Sequence, residues 1–234
     1  MQKVRVITPL YLEQVLTSTA MNDSAPAIKV CGITREADAQ ACIKAGVSWL
    51  GFNFWPRSKR YCAPEQAAQI VATLPAHVRS VALFVDAEQA IIDQVLRMTG
   101  LRWVQLHGQE TPDMLNNWLP QAFKALPVRD ATIHAEAARY SGDYIVLDAA
   151  VQGLPGGTGQ CFDWRFAAPI ARYRQVILAG GLTPTNVADA IRQVRPAVVD
   201  VASGVESQPG VKDPDKIHAF VDAVRLTGQE GQAH

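Results

Sequence analysis

Charge of one sign is what this 234-residue chain lacks first: 22 basic and 22 acidic residues leave it formally neutral, with a pI near 7.0. A neutral chain has no global field to hold nucleic acid or an anionic membrane, so neither is expected as a partner. Any anionic ligand must be met in a local pocket, and small substrates are favoured over polyanions. Cysteine is scarce as well. Cys31, Cys42, Cys62 and Cys161 include no Cys-x-x-Cys pair and have no His at zinc-ligand spacing, so no metal centre is expected. A chain of this length does not depend on disulfide staples, and without a recognisable signal peptide the four read as thiols in a reducing cytoplasm. Long apolar runs are missing too. None reaches the roughly 18 residues of a membrane span, and the chain reads as soluble.

What is there is core material. With 48% apolar and 19% charged residues, disorder and a collagen-like chain are excluded. The first 27 residues stand apart as an extension outside the domain. Residues 4–16 show some apolar periodicity, whereas 17–26 (TSTAMNDSAP) are small, polar and turn-rich, as in a linker. Met21 is a candidate alternative start, and a mitochondrial-type leader is the competing reading, resting on Lys3 and Arg5 alone.

From Ile28 onward, short β-branched runs alternate with segments of helical period. Strands are expected at 28–31, 49–54, 80–85, 103–107, 123–125, 144–148, 176–179 and 198–202. Helices are expected at 36–45, 64–74, 88–98, 112–118, 133–140, 163–170, 184–194 and 214–225, with 226–234 as a tail. Eight pairs over residues 28–225 give about 25 residues per unit, enough for a strand, a short helix and two tight loops. The fold expected is a single-domain α/β (β/α)8 TIM barrel. A doubly wound open sheet would want a Gly-x-Gly-x-x-Gly turn after the first strand, where the sequence reads Cys31-Gly32-Ile33-Thr34. In a barrel, chemistry sits at the C-terminal strand ends.

The residues at those ends carry a resemblance. They are Lys29-Val30-Cys31-Gly32-Ile33-Thr34, Gly51-Phe52 with Ser58-Lys59-Arg60-Tyr61, Val104-Gln105-Leu106-His107-Gly108 and Leu147-Asp148-Ala149. They continue with Gly156-Gly157-Thr158-Gly159 before Phe162-Asp163-Trp164, Leu178-Ala179-Gly180-Gly181-Leu182, and Val199-Asp200-Val201-Ala202-Ser203-Gly204-Val205-Glu206. Together, in this order, they resemble the phosphoribosylanthranilate isomerases of tryptophan biosynthesis. The departures are Ala202 where Ser is common, Asn53 at a usually apolar strand position, and Gln160-Cys161 where Lys-Thr is frequent.

The resemblance implies an Amadori rearrangement without a cofactor. An acid protonates the furanose ring oxygen to open the ring, and a base removes the C2 proton of the resulting iminium. It implies Cys31 as base and Asp148 as acid, at the ends of strands 1 and 6, which lie roughly across the barrel. Without it, Cys31 reads as a small buried apolar residue and Asp148 as a loop cap. Glycine-rich loops after strands 6, 7 and 8, and a short extra helix from Ser203, suit a phosphate, with Gly157, Gly159, Gly180, Gly181, Ser203 and Gly204 as its pocket. Arg60 is singled out for the anthranilate carboxylate, with Arg57 and Lys59 as solvated neighbours. His107 shares an inward face with Gln105 and either lines the aromatic pocket or is a satisfied core histidine. Asp200 either bonds the sugar or pairs with Lys29.

Three rival functions fit a barrel of this kind: a dual-specificity isomerase acting also in histidine biosynthesis, a metal-dependent pentose phosphate epimerase, and a non-catalytic barrel that binds a partner. The first is expected to end its first strand in Asp, the second to carry more strand-end histidines than His107, and the third need not keep both proton-transfer residues. Association with neighbouring tryptophan-pathway enzymes is left open by the sequence.

Overall fold

The computed structural model describes residues 25–149 and 162–230. Among these, eight parallel strands close into a barrel in sequence order. They are β1 (Ala27–Cys31), β2 (Trp49–Asn53), β3 (Arg79–Phe84), β4 (Trp103–Leu106), β5 (Ala122–Val128), β6 (Tyr144–Ala149), β7 (Gln175–Leu178) and β8 (Val198–Val201). The helices between and after them are α1 (Glu36–Ala45), α2 (Pro64–Val71), α3 (Gln89–Thr99), α4 (Pro112–Asn116), α5 (Ile133–Ala137), α6 (Ala168–Ala171), α7 (Val187–Val194) and α8 (Pro214–Glu230). A small antiparallel hairpin, β9 (Glu206–Gln208) and β10 (Val211–Lys212), intervenes before α8.

Alternation along the strands sorts their residues into two packed layers. One set, including Val30, Leu50, Phe52, Ala82, Phe84 and Leu147, joins the helices in the larger core. The other, Trp49, Val81, Phe123, Ala125, Val146, Ile177, Ala179 and Val198, forms a second cluster inside the barrel. Trp49, Trp103 and Tyr144 crowd together near the N-terminal strand ends, with the Arg79 guanidinium 4.6 Å from the Trp49 ring centre. The bottom is therefore filled with packed rings.

Most expected elements form within a residue or a few of their expected bounds, and α1 has the expected ones. The exceptions have local causes. The helix expected at 163–170 is a 3-10 turn, Trp164–Phe166, followed by the four-residue α6, because Asp163 caps Arg165 and Pro169 lies in the next turn. That expected at 184–194 starts at Val187, since the Asn186 side chain closes a turn by accepting from Thr183 N and donating to Gly181 O. β5 extends past Pro127 because its register with β6 holds to Val128. The last helix continues to Glu230, so residues 226–230, expected in a tail, are helical, and Gly228 packs on Ala25. The extra helix expected from Ser203 is a single 3-10 turn, Ser203–Val205.

Candidate active site

β1 ends at Cys31 because Gly32 turns into the left-handed region, φ 78°, and the amides of Gly32 and Ile33 both donate to Gly51 O at 2.9 Å. Gly51 is also the register partner of Cys31 on β2. A Cβ at Gly51 would stand 2.9 Å from the Cys31 sulfur and 3.2 Å from Lys29 Nζ, so a glycine here makes the room the thiol occupies. Beneath the thiol, Lys29 Nζ donates to Asp200 Oδ2 at 2.6 Å, as their pairing across β1 and β8 dictates. Both side chains are buried. Asp200 Oδ1 is buried without a hydrogen-bond partner among the described residues, an acceptor with capacity to spare.

Burial, the largest effect, pushes the Cys31 thiol above its usual range, against the pull of Lys29 and Lys212 and with the help of Asp200. Burial works to lower Lys29, but Asp200 and Cys31 raise it above the ordinary lysine value. Burial raises Asp200, with Lys29 opposing.

On the other side of the mouth, Asp148 ends β6. Its Oδ1 accepts from Ala149 N at 2.7 Å, and its Oδ2 faces His107 Nε2 at 3.2 Å. Gly180, at φ 86°, lies against it: a Cβ there would come within 2.7 Å of Asp148 Oδ1 and collide with Ala149 N. His107 Nδ1 meets Gln105 Nε2 at 2.9 Å. An amide nitrogen only donates, so in this assignment Nδ1 accepts and Nε2 carries the imidazole proton toward Asp148. The loop bearing His107 is pinned from below. Glu110 accepts from Asp86 N and Gly108 N, and buried Lys124 donates to Gly108 O at 2.7 Å while facing Glu110 at 3.3 Å.

Arg60 reaches the same rim through a loop folded back on itself. Asn53 Oδ1 accepts from Trp55 N, Ser58 Oγ accepts from Arg60 N, and the Arg60 stem lies on Gly32, where a Cβ would be 2.5 Å from Cδ. Asn53, the departure from an apolar strand residue, thus starts the turn. The guanidinium forks onto Glu206, Nε and Nη2 each 2.8 Å from a carboxylate oxygen. Its Nη1 has no partner among the described residues.

A cavity of about 840 Å³ opens over the strand ends, lined by Phe54, Trp55, Tyr61, His107, Arg129 and Asp148 among others. Of the residues expected to hold phosphate, Gly157 and Gly159 lie outside the described residues. Gly180, Gly181, Ser203 and Gly204 come together: a Cβ on Gly204 would strike Leu182 O, so the turn after β8 sits directly on the loop after β7. Gly51, Gln105, Glu206 and Lys212 were not singled out from sequence. The first three stand in strand-end motifs beside expected residues, but nothing local marks Glu206 as the partner of Arg60, and Lys212 lies outside those motifs. Among the described residues no group of three or more His, Cys, Asp or Glu side chains is arranged to hold a metal ion, and no helix is long and apolar enough to cross a membrane.

The sequence profile described as N-(5'phosphoribosyl)anthranilate (PRA) isomerase matches residues 28–223. An N-(5'-phosphoribosyl)anthranilate isomerase of Trichlorobacter lovleyi is 47% identical over 195 residues, 83% of this chain and 95% of that protein. One of Pseudomonas fluorescens is 46% identical over 204 residues, 86% of this chain and 97% of that protein. Among solved structures, phosphoribosyl anthranilate isomerase from Thermotoga maritima superposes with a TM-score of 0.79 at 37% identity, covering 86% of this chain and 99% of that one. A phosphoribosyl anthranilate isomerase in complex with reduced 1-(o-carboxyphenylamino)-1-deoxyribulose 5-phosphate gives 0.76 at 36% identity, with the same coverage. The barrel, its strand-end residues and these likenesses agree: the chain belongs to the N-(5'-phosphoribosyl)anthranilate isomerase family.

Proposed function

We propose that this barrel converts N-(5'-phosphoribosyl)anthranilate to 1-(2-carboxyphenylamino)-1-deoxyribulose 5-phosphate in tryptophan biosynthesis, with Asp148 as general acid and Cys31 as general base. The observation that carries the assignment is the placement of the two groups. They end β1 and β6, strands set apart in the closed barrel, with Asp148 lining the cavity and the Cys31 thiol buried at the end of β1 in the space left by Gly51.

Protonated Asp148 gives its proton to the furanose oxygen as the C1–O bond breaks, leaving a C1 iminium on the anthranilate nitrogen. The Asp148 carboxylate left behind keeps two donors, Ala149 N and the Nε2–H of His107, which suit the charge just formed. Cys31 then takes the C2 proton. Its raised pKa disfavours a free thiolate, so the cationic iminium completes the positive surroundings begun by Lys29 and Lys212. The enolamine ketonises to product. Asp200 Oδ1, already oriented by Lys29, accepts from a sugar hydroxyl. Arg60 offers Nη1 to the anthranilate carboxylate, Trp55 and Tyr61 flank the ring, and the loops with Gly157, Gly159, Gly180, Gly181, Ser203 and Gly204 hold the phosphate through backbone amides.

Steady-state turnover of the purified chain tests the reading. Cys31→Ser and Asp148→Asn should each lower kcat by roughly 10²- to 10⁴-fold with KM little changed, the usual contribution of one placed base or acid. Arg60→Ala should chiefly raise KM. Near-normal kcat in both of the first two variants would remove the assignment. A second reaction on a histidine-pathway substrate is disfavoured by Cys31, since an enzyme of that dual class is expected to carry Asp there.

A further inference from the structure

Two buried residues of the β9–β10 hairpin, Glu206 and Lys212, touch both the candidate base and the candidate carboxylate clamp. Glu206 takes the Arg60 fork on both oxygens, and its Oε1 also accepts from Lys212 Nζ at 2.9 Å and from Gly210 N at 3.3 Å. Lys212 Nζ donates further to Cys31 O at 2.7 Å and to Ala202 O at 3.2 Å, so one ammonium ties the end of β1 to the end of β8. Its backbone N–H is held by Asp38, itself paired with Arg35, and Lys216 fastens the hairpin from outside through Glu206 O.

Charge counting gives this arrangement a direction. Arg60 and Lys212 bring two positive charges against the one negative charge of Glu206, while the Arg35–Asp38, Lys29–Asp200 and Lys216–Asp213 pairs each cancel. One positive charge is therefore in excess beside Cys31, in a region where burial weakens solvent screening.

We propose that Glu206 and Lys212 are positioning residues for the isomerisation, holding the Cys31 backbone and the Arg60 guanidinium as one unit whose surplus positive charge favours the thiolate. The proposal rests on Cys31 as base and Arg60 as carboxylate clamp. Neither residue reaches the substrate. Lys212 acts through the carbonyl and the field at Cys31, and Glu206 acts through Arg60.

The two residues carry opposite charges, so neutralising each should move the thiol in opposite directions. In the full chain, the pH dependence of Cys31 alkylation by iodoacetamide, read on the Cys31 peptide by mass spectrometry, is followed beside the pH profile of kcat/KM. Lys212→Met should raise the alkylation midpoint and the acidic limb by about half a pH unit or more, about a threefold change in thiolate fraction, whereas Lys212→Arg should leave them near wild type. Glu206→Gln should lower the midpoint and, by loosening the fork, raise KM about tenfold with a smaller change in kcat. A purely structural role would move both profiles the same way or not at all, and either result overturns the proposal. If Lys212→Met does not fold, the direction of the Glu206→Gln shift decides alone. Normal turnover by Cys31→Ser would remove the base assignment but would leave the opposed alkylation shifts to be seen.

Discussion

Asp148 and His107 face each other at 3.2 Å, Oδ2 to Nε2, although Asp148 lies on β6 and His107 follows β4, strands that are not neighbours. Ala125 of the intervening β5 lines the same cavity. Gln105, two residues before His107 and on the same face of β4, fixes the ring through Nδ1. His107 is therefore more than a core histidine. In the proposed mechanism its N–H would meet the charge that appears on Asp148 once the proton has left.

Removing that donor should slow the chemical step more than it weakens binding. A hydrogen bond to a charged group contributes about 1.5–3 kcal/mol, so His107→Ala should lower kcat by roughly 10- to 100-fold, with a smaller effect on KM. An unchanged kcat would show the contact to be idle during turnover.

Gly51 offers a test of the thiol's setting that leaves every titratable group in place. A Cβ at this position would stand only 2.9 Å from the Cys31 sulfur, closer than side-chain contacts allow. Gly51→Ala should push the thiol from its seat and cost about 1–3 kcal/mol of stability through overpacking. Thermal melts and kcat measured on the same preparation should both fall. A variant with wild-type Tm and kcat would mean that the sulfur does not depend on this space.

The barrel was legible because its information is local. Period-two apolar runs, helical segments and strand-end glycines recur at a spacing that a (β/α)8 chain requires, whereas position alone leaves Cys31 a buried apolar residue and Asp148 a loop cap, and only the resemblance to the isomerase family singles them out. The Lys29–Asp200 pair was one of two readings for Asp200, and the structure shows the pairing while leaving Oδ1 for the other. Arg60 shows the limit. Its partner Glu206 lies 146 residues away, on a hairpin whose strands are too short for periodicity to register. Lys212 was equally hidden, because an isolated lysine after a Pro-Gly turn reads as a solvated side chain, yet its ammonium is buried.

The Lys29–Asp200 pair should show strong dependence of each charge on the other. With one partner removed the remaining charge stays buried and unpaired, which costs about 3–5 kcal/mol, whereas a double apolar replacement avoids that penalty. Lys29→Met and Asp200→Leu should each destabilise the barrel more than the double variant does, measured by urea unfolding. Additive losses would show that the two charges do not support each other.

Glu206 predicts how the barrel responds to acid. Burial works to raise its carboxyl, but the bonds from Arg60 and Lys212 overcome this and hold it below the ordinary glutamate value. A carboxyl depressed in the folded state contributes stability above its unfolded value, about 4.3, and loses that contribution as pH falls through the folded value. Glu206→Gln cannot ionise and lacks this dependence. The wild-type chain should therefore melt above Glu206→Gln at pH 6, and the gap in Tm should close as the pH is lowered through 4 toward 3. A gap of constant size over that range would show that Glu206 stabilises the hairpin by shape and neutral hydrogen bonding, with its charge contributing nothing to the fold.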